Sequence, residues 1–465
     1  MFHVKHREEN EGAAPDVARG QSADTCGCDE GDCASAFCAE HGQVADSAAP
    51  GVARGQVADA RATGVARGRP ARATGVARAR LARAAGRPRD AASARLLARA
   101  ARWARGEAVL CVAAVCALVS AAFVPPDAAY ASYFDTRVLI LLFCLMATVA
   151  GCKASGLFDV LAKALLQGDR PFRVVALILV MLPFFASMLV TNDVALLAFV
   201  PFSVLVLGHA GRTRSLAWVI VLQAVAANLG GMATPVGNPQ NLYLFTRYHV
   251  GLDEFAAVLL PYVALAFVLL TGAALASGGG RAKVEVPLAS NRVARGRALL
   301  HIALFALCLL AVARVVEPVA LLVAVGAVLA LFDRPALRAV DYGLLLTFAC
   351  FFVFVGNMGR IEEVRHAFEG LVDANALITS VAASQVISNV PAAVLLSEFT
   401  GDWRSLLVGV DVGGLGTPVA SLASLIALRI YLHADGANFG TFMAVFAVVN
   451  TAFLAAMLAL CAAIG

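Results

Sequence analysis

NLGGMATPV at residues 228–236 and DVGGLGTPV at residues 411–419 are two copies of one sequence pattern, and each interrupts a long apolar run. Five of the nine positions are identical, among them a Gly-Gly pair and a Thr-Pro pair. Glycine tolerates unusual backbone angles, whereas proline lacks the N–H that a helix needs and collides with the preceding turn. We therefore expect each copy to break a helix and to expose backbone carbonyl and N–H groups.

The composition around these two copies is that of a membrane protein. Of the 465 residues, 60% are hydrophobic and only 15% are charged, whereas a soluble domain is about half apolar and about a quarter charged. The net charge of +5 arises within residues 1–106, and acidic and basic residues balance in the rest of the chain. This excludes a soluble enzyme, a secreted disulfide scaffold and a fibrous protein, and it predicts an all-α integral membrane protein.

Residues 1–106 form a low-complexity tail that is acidic at first and Arg-rich afterwards. We expect this tail to be disordered, because repeats of Ala, Gly and Arg bury too little apolar surface to offset the entropy of ordering. An Arg-rich tract can attract nucleic acid or anionic lipid, but a solvated tail is the favoured interpretation. The predicted partners are therefore membrane lipid and no nucleic acid.

Four cysteines and the start of the chain belong to the same tail. Cys26, Cys28, Cys33 and Cys38 are too irregularly spaced for a typical zinc site, so we predict no structural metal and no cofactor. The first six residues, MFHVKH, can be encoded by self-complementary DNA that resembles a bacterial chromosome-partition site. We therefore expect that part of residues 1–105 corresponds to non-coding DNA upstream of the true start codon.

Nine apolar runs approach the roughly 20 residues that a helix needs to cross the hydrocarbon core. They are residues 107–125, 136–152, 216–245, 255–277, 299–314, 318–332, 343–358, 404–433 and 439–463. Two further apolar stretches, 173–208 and 374–399, are interrupted by polar residues in the middle. His301 and Arg314 lie near the ends of one run, where basic side chains usually reach the membrane surface, and we expect both to be interfacial.

The loops at 153–173, 209–215 and 278–298 are rich in Lys and Arg, and short basic loops favour the cytoplasm. If the first two loops are both cytoplasmic, the stretch between them must enter the membrane and return on the same side. We therefore predict a re-entrant hairpin over 173–208, with its turn at Thr191-Asn192-Asp193, and a cytoplasmic N-terminus.

Counting the spans onward places the second interrupted stretch in the opposite orientation. Residues 374–399 are predicted to form a re-entrant hairpin that enters from outside, with its turn at Ser388-Asn389-Val390. Since each hairpin precedes one Gly-Gly copy, residues 107–277 and 318–465 are predicted to form an inverted repeat, joined by a basic loop and a linking helix at 278–317. Paired broken segments of this kind mark the binding site in secondary transporters.

Helices broken at the midplane provide the chemistry of an ion site. Carbonyls from one half-helix, together with Asn and Thr oxygens, suit a small cation, and the N-terminal end of the other half favours an anion. The candidate residues for substrate and ion binding are Thr191, Asn192, Asp193, Asn228, Gly230, Gly231, Thr234, Pro235, Gly237, Asn238, Asn241, Ser388, Asn389, Asp411, Gly413, Gly414 and Thr417.

Two of these candidates, Asp193 and Asp411, are acidic. A carboxylate within the membrane is costly and usually binds a cation or a proton. The alternative for Asp193 is an N-cap of the second hairpin helix, and the alternative for Asp411 is a carboxylate that faces a water-filled vestibule. No basic residue lies near either tip in the sequence, so helix dipoles, hydroxyls and a co-bound cation would hold an anionic substrate.

Four motifs resemble the ion-transporter superfamily, which includes citrate and divalent-anion permeases, arsenite permeases and some sodium/proton antiporters. They are TNDVALLAFVPF from residue 191, GGMATPVGNPQN from residue 230, SQVISNVPAAVLL from residue 384 and GGLGTPVASLASL from residue 413. The resemblance covers residues 107–465 and implies an elevator-type transporter that works as a homodimer.

The resemblance also implies roles for the residues at the hairpin tips. It places Thr191, Asn192, Ser388 and Asn389 where members of the superfamily bind Na⁺ and contact substrate. The dicarboxylate branch usually has Ser-Asn-Thr at its tips, whereas this chain has Thr-Asn-Asp and Ser-Asn-Val. The additional acid, Asp193, keeps coupling to H⁺ open beside coupling to Na⁺.

Together these features favour a secondary active transporter in the cytoplasmic membrane that moves a small anion, of citrate or dicarboxylate type, coupled to Na⁺ or H⁺. Alternatives within transport are arsenite efflux and Na⁺/H⁺ exchange. An intramembrane enzyme is disfavoured because the spans contain no HExxH, GxSxG or Ser/His pair. A passive channel is disfavoured because paired re-entrant hairpins suit alternating access better than a fixed pore.

Overall fold

The computed structural model describes residues 107–166, 168–284 and 294–464. The predictions for residues 1–106, including those for the four cysteines and for the start of the chain, lie outside the described residues. Within the described ranges the regular structure is almost entirely helical, as expected for an all-α protein.

Eighteen α-helices and two short β-strands follow one another in these ranges. They are α1 Ala108–Phe123, α2 Tyr130–Tyr133, α3 Thr136–Ala154, α4 Leu157–Leu166, β1 Gly168–Pro171, α5 Phe172–Ala186, α6 Asn192–His209, α7 Leu216–Gly231, α8 Pro239–Arg247, α9 Leu252–Leu275, β2 Arg281–Val284, α10 Arg295–Val312, α11 Pro318–Phe332, α12 Arg334–Arg338, α13 Tyr342–Met358, α14 Glu362–Ile387, α15 Asn389–Leu396, α16 Trp403–Gly413, α17 Leu422–Leu432 and α18 Phe439–Ile464.

Seven of the helical segments in the described part are long and apolar enough to cross a membrane. They are α3, α6, α7 together with the 3₁₀ turn Thr213–Ser215 before it, α9, α10, α14 and α18. The shorter apolar helices are α1, α5, α11, α13 and α17. Large apolar side chains such as Leu118, Val268 and Val448 are mostly exposed on the outer helices, as expected for surfaces that face lipid. The protein is therefore a multi-pass membrane protein.

Helix α7 lies at the centre of the molecule. Every residue of α7 except Trp218 is buried, and the helix packs against α5, α6, α9, α17 and α18. Because α7 ends directly at the first Gly-Gly pair, its packing fixes the position of that pair.

Both Gly-Gly copies lie where a helix is interrupted. Helix α7 ends at Gly231 and α8 begins at Pro239, whereas α16 ends at Gly413 and α17 begins at Leu422. The residues just before α8 and α17, Asn238 and Ser421, are both extended. Proline suits the first position of α8, since that position has no intrahelical N–H bond to lose.

The two stretches predicted to be hairpins each contain two helices. Helices α5 and α6 are joined by residues 187–191 and pack together, and α14 and α15 are separated by Ser388 alone and also pack together. The first turn lies earlier than predicted, because Asn192 and Asp193 already belong to α6. Ser388 has φ = 75°, a left-handed backbone that reverses the chain within one residue. Whether either pair re-enters the membrane stays a prediction.

A two-stranded ribbon lies outside the all-helical expectation. Strand β1 pairs antiparallel with β2, in a register that places Gly168 opposite Val284 and Pro171 opposite Arg281. Arg281 also forms a 2.9 Å ion pair with Asp169. The ribbon joins two of the basic loops, 153–173 and 278–298, at one place on the surface, in keeping with their assignment to the same side of the membrane.

The expectation that His301 is interfacial is wrong. Its ring is fully buried against Gly151 of α3, and its Nε2 lies 2.9 Å from Asp333 Oδ2. Arg297 donates from Nη2 to both oxygens of the same carboxylate. His301 is buried because α10 packs along α3, and Asp333 at the end of α11 supplies a hydrogen-bond partner that sequence position does not reveal. Arg314 is exposed two residues after the end of α10, and its position at the membrane interface stays a prediction.

Candidate functional site

Each copy of the pattern places its second half-helix among the helices of the other copy. Helix α8, which follows the first Gly-Gly pair, packs against α15 and α16. Helix α17, which follows the second pair, packs against α6 and α7. The two interruptions therefore lie close together although they are far apart in sequence.

The residues that begin α6 and α15 make the same backbone hydrogen bond in each copy. The N–H of Asn192 donates to the carbonyl of Gly237 at 2.9 Å, and the N–H of Asn389 donates to the carbonyl of Ala420, also at 2.9 Å. Gly237 and Ala420 each directly follow the nine-residue pattern. The asparagine of each helix pair is thus tied to the interruption in its own copy.

The two threonines of the Thr-Pro pairs also make equivalent hydrogen bonds. Thr234 donates from Oγ1 to the carbonyl of Met188 at 2.6 Å, and Thr417 donates from Oγ1 to the carbonyl of Gln385 at 3.0 Å. Met188 lies four residues before Asn192, and Gln385 lies four residues before Asn389. Both hydroxyls therefore stabilise the turn of a helix pair. Their protons are used in these bonds and cannot be donated to a ligand.

The first glycine of each pair permits close approach of two helices. A Cβ on Gly230 would lie 2.2 Å from the carbonyl oxygen of Phe184, and a Cβ on Gly413 would lie 2.8 Å from Ser384 Cβ. Gly237 is equally confined, since its Cβ would lie 2.3 Å from the carbonyl oxygen of Gly231. These glycines are required by packing.

Asp411 forms buried hydrogen bonds between the two copies. Its Oδ1 accepts from Gln240 Nε2 at 2.9 Å and from Asn238 Nδ2 at 3.4 Å. Asn238 also donates to the backbone carbonyl of Asn228 at 3.2 Å. Asp411 is only 1% exposed, so the alternative of a carboxylate that faces an open vestibule is wrong.

Asparagines from both copies meet at Gly414. A Cβ built on Gly414 would lie 2.4 Å from Asn228 Nδ2 and 3.0 Å from Asn389 Nδ2. Asn228 belongs to the first copy and Asn389 to the helix pair of the second, and both are buried. The structure therefore brings polar groups of the two copies into one buried cluster.

Asp193 lies apart from this cluster and lines a cavity of about 650 Å³. Thr191 lines the same cavity, as do Lys153 and Asp341 from the surrounding helices. The N-cap position of α6 is held by Thr191, and Asp193 lies in the first turn with its own N–H bonded to Asn192 Oδ1. The alternative role of Asp193 as an N-cap is therefore wrong.

Most of the candidate residues are buried around the two interruptions, while three lie nearer the surface. The buried ones are Asn192, Asn228, Gly230, Gly231, Pro235, Gly237, Asn238, Asn241, Asn389, Asp411, Gly413 and Gly414, with Thr234 and Ser388 half-buried. Of the three, Thr191 and Asp193 line the cavity and Thr417 is exposed.

Two glutamines belong to the site although the candidate set lacks them. Gln240 supplies the shorter of the two hydrogen bonds to Asp411, and its position between Asn238 and Asn241 is the signal that would have found it. Gln385 donates from Nε2 to the carbonyls of Gly413 and Leu415. The first copy has Met188 at the equivalent place, so comparing the two copies does not reveal Gln385.

Residues 96–400 match the model of the CitMHS family, described as citrate transporters. The chain belongs to the citrate transporter family. As members of this family are transporters, the chain is not an enzyme.

Several relatives of this citrate transporter family member are named as membrane or transport proteins. An uncharacterised transporter of Methanocaldococcus jannaschii is 29% identical over 298 residues, which cover 64% of this chain and 81% of the relative. The inner membrane protein YbiR of Escherichia coli is 30% identical over 306 residues, covering 64% and 80%. The silicon efflux transporter LSI3 of rice, Oryza sativa subsp. japonica, is 34% identical over 138 residues, covering 29% and 27%.

Proposed function

We propose that this protein is a secondary active transporter that moves a small anion, of citrate or dicarboxylate type, across the cytoplasmic membrane together with Na⁺ or H⁺. The observation that carries the proposal is the buried junction between the two copies, where Asp411 accepts from Asn238 and Gln240. A buried carboxylate is costly in a membrane protein and, without a basic partner such as Arg297 provides for Asp333, is a sign of ion or proton binding.

An inverted repeat is part of the proposal. It is supported by the equivalent hydrogen bonds of Asn192 and Asn389, and of Thr234 and Thr417. It is further supported by the exchange of half-helices, since α8 packs against α15 and α16 while α17 packs against α6 and α7. In this arrangement the pairs α5–α6 and α14–α15 are the re-entrant hairpins of the two repeats.

Access from both sides of the membrane is supported by two cavities at opposite ends of α13. The cavity with Asp193 also contacts Asp341 and Leu344 at the start of α13, and a second cavity of about 640 Å³ contacts Gly359 and Arg360 just after its end. A helix of 17 residues is about 25 Å long. We propose that elevator-type movement of the two helix pairs connects the junction with each cavity in turn, in a homodimer whose N-terminus is cytoplasmic.

At the junction the anion would be held by helix ends, whereas Lys153 is a basic side chain that lines the cavity beside Asp193. The N-terminal ends of α8 and α17 carry partial positive charge. Helix α8 begins beside Asp411, and α17 begins two residues after Ala420, whose carbonyl accepts from Asn389. A cation bound beside the substrate would offset the remaining negative charge. The tip residues Thr191, Asn192, Ser388 and Asn389 are the proposed contacts for Na⁺ and substrate.

Uptake of radiolabelled citrate and succinate into proteoliposomes tests the proposal. The full chain is reconstituted, and uptake is measured with an inward Na⁺ gradient, with an inward H⁺ gradient and with neither; protein-free liposomes are the control. We expect accumulation of at least one of the two anions under one of the gradients. No accumulation under either gradient would refute the carboxylate substrate, and Na⁺ movement driven by pH without an organic anion would indicate Na⁺/H⁺ exchange instead.

A second candidate is efflux of a neutral oxyacid. The partial similarity to a protein named a silicon efflux transporter favours it, and the amide side chains at the junction suit neutral hydroxyl groups as well as anions. Arsenite is largely neutral at pH 7, so a cell that exports it gains resistance. Increased survival of an arsenite-sensitive bacterium that expresses this chain, without citrate uptake, would favour this candidate over the first.

A further inference from the structure

Asp411 is buried without a charged partner. It is 1% exposed, and among the described residues the amides of Asn238 and Gln240 donate to its Oδ1. None of the ion pairs among those residues includes Asp411. A buried carboxylate without an opposite charge is strongly unfavourable. A single positive charge that arrives from solution would remove this penalty.

Four oxygens of Asp411 and of the three amide side chains that follow the first interruption lack hydrogen bonds. Asn238 Oδ1, Gln240 Oε1, Asn241 Oδ1 and Asp411 Oδ2 are buried and find no partner within the described ranges. Buried polar atoms are nearly always paired in folded proteins, so these oxygens are available to a bound cation or to water. Oxygen atoms from carboxylate and amide groups are the ligands of hard cations. One carboxylate among neutral oxygens matches one positive charge.

The comparison of the two copies shows that this set is present at only one of two equivalent places. Asn228 stands where the second copy has Asp411, and Ser421, Ala423 and Ser424 stand where the first copy has Asn238, Gln240 and Asn241. The carboxylate comes from one copy and the three amides from the other. The proposed repeat therefore has one charged junction and one neutral junction.

We propose that Asp411, Asn238, Gln240 and Asn241 form a binding site for one alkali cation, with Na⁺ as the expected ion. The inference rests on the proposed function, since it identifies where a coupling cation is bound. The site differs from the tip residues named above, because its ligands lie at the end of α16 and the start of α8. With a cation bound, the negative charge of Asp411 is offset, so an anionic substrate can be held beside it as proposed above.

The test measures Na⁺ binding directly, without any transported substrate. Melting temperatures of the purified full chain in detergent are followed against NaCl concentration, with choline chloride holding the ionic strength constant and with LiCl and KCl in parallel. A ligand that binds only the folded state raises the melting temperature. We expect a saturable increase with NaCl for the wild-type protein and none with choline chloride.

Variants that exchange residues between the two copies locate the site. Asp411→Asn gives the second copy the residue of the first, and Gln240→Ala gives the first copy the residue of the second, so both side chains already occur in an equivalent environment. We expect Asp411→Asn to raise the half-saturating Na⁺ concentration about tenfold or more, and Gln240→Ala by about threefold or more. Ser424→Ala, at the place equivalent to Asn241, is the matched control and should leave the half-saturating Na⁺ concentration unchanged.

Two other outcomes of these experiments would refute the proposed cation site. A wild-type protein whose melting temperature does not respond to alkali cations, but rises as the pH is lowered, would assign Asp411 to a proton. An unchanged half-saturating concentration in both Asp411→Asn and Gln240→Ala would place the cation elsewhere. The melting assay contains no substrate, so Na⁺ binding can be observed even if the protein does not take up citrate. Conversely, uptake coupled to H⁺ can be observed even if the protein does not bind Na⁺.

Discussion

At the scale of single residues, the Gly-Gly pairs act through backbone contact. Gly230 lies against the carbonyl of Phe184 and Gly413 lies against Ser384, which brings each broken helix onto the preceding helix pair. The second glycines have different neighbours, since Gly231 faces Asn238 and Gly414 faces Asn228 and Asn389. The first glycine of each pair thus sets the distance between helices, and the second leaves room for amide side chains.

Gly230→Ala is expected to destabilise the protein. The new Cβ would lie 2.2 Å from a backbone oxygen of Phe184, which cannot rotate away, so α5 and α7 must separate. Overpacking of this kind costs about 1–3 kcal/mol or more, and the melting temperature of the purified protein should fall by several degrees. Gly272→Ala in α9 is the control, because nothing lies within 4 Å of its Cβ. Equal melting temperatures for the two variants would contradict this account.

At the scale of elements, Gln385 holds the second interruption in shape. Its Nε2 donates to the carbonyls of Gly413 and Leu415 at 2.7 and 2.8 Å, and its Oε1 accepts from the N–H of Thr417 at 2.8 Å. One side chain of α14 therefore replaces three hydrogen bonds that a continuous helix would have made within α16. Gly416 passes close to it with φ = 106°, a backbone angle that favours glycine.

Replacing Gln385 by the residue of the other copy is expected to impair transport. Gln385→Met removes three hydrogen bonds, each with a net contribution of about 0.5–1.5 kcal/mol, and it frees residues 414–421. We expect the initial rate of citrate uptake into proteoliposomes to fall about tenfold, since a flexible interruption no longer presents a fixed binding surface. Met188→Leu, which keeps the backbone acceptor of Thr234, should retain most of the rate. Comparable rates for both variants would exclude this role for Gln385.

A second contact between elements lies buried between α10 and the end of α11. Asp333 is 3% exposed and accepts from His301 and from Arg297. Burial raises the pKa of Asp333, but the hydrogen bonds from His301 and Arg297 outweigh it, so the pKa of this carboxyl is lower than its ordinary value. The folded state therefore stabilises the charged form, and this stabilisation is present above the ordinary aspartate pKa.

Asp333→Asn is expected to lower stability in a pH-dependent manner. At pH 7 the variant should unfold about 1–3 kcal/mol more easily than the wild-type protein, measured by thermal melting in detergent. The difference should narrow below about pH 4, as the wild-type carboxyl becomes protonated and loses the same stabilisation. Asp169→Asn is the control, because its ion pair with Arg281 is largely exposed and contributes little. A difference that does not vary with pH would contradict the role of the charge.

Local sequence signals predicted the interruptions but not the contacts between them. Gly-Gly and Pro act on the backbone of their own segment, so α7 and α16 could be expected to end at Gly231 and Gly413. The bond from Gln240 to Asp411 depends on tertiary packing, because it joins residues 171 apart in sequence. The same reason explains why His301 was wrongly predicted to reach the surface, since only the packing of α10 on α3 buries its ring.

At the scale of the whole molecule, the cavity with Asp193 separates two groups of helices. Its walls come from α3 and α13 on one side and from α6 and α17 on the other. Helices α6 and α17 belong to different copies but pack together, so they can move as one body. In the proposed elevator-type movement this body slides past α3 and α13, and the cavity would be the space into which it moves.

Filling this cavity is expected to block transport without damaging the fold. Ala150→Phe places a ring between α3 and α6, and we expect citrate uptake to fall about tenfold or more, while the melting temperature stays the same or rises as it does when a cavity is filled. Ala264→Phe on the exposed face of α9 is the matched control and should transport normally. Asp411 does not line the cavity, so the half-saturating Na⁺ concentration in the melting assay should be unchanged in Ala150→Phe. Full uptake by this variant would show that the helices on the two sides of the cavity do not move past each other during transport.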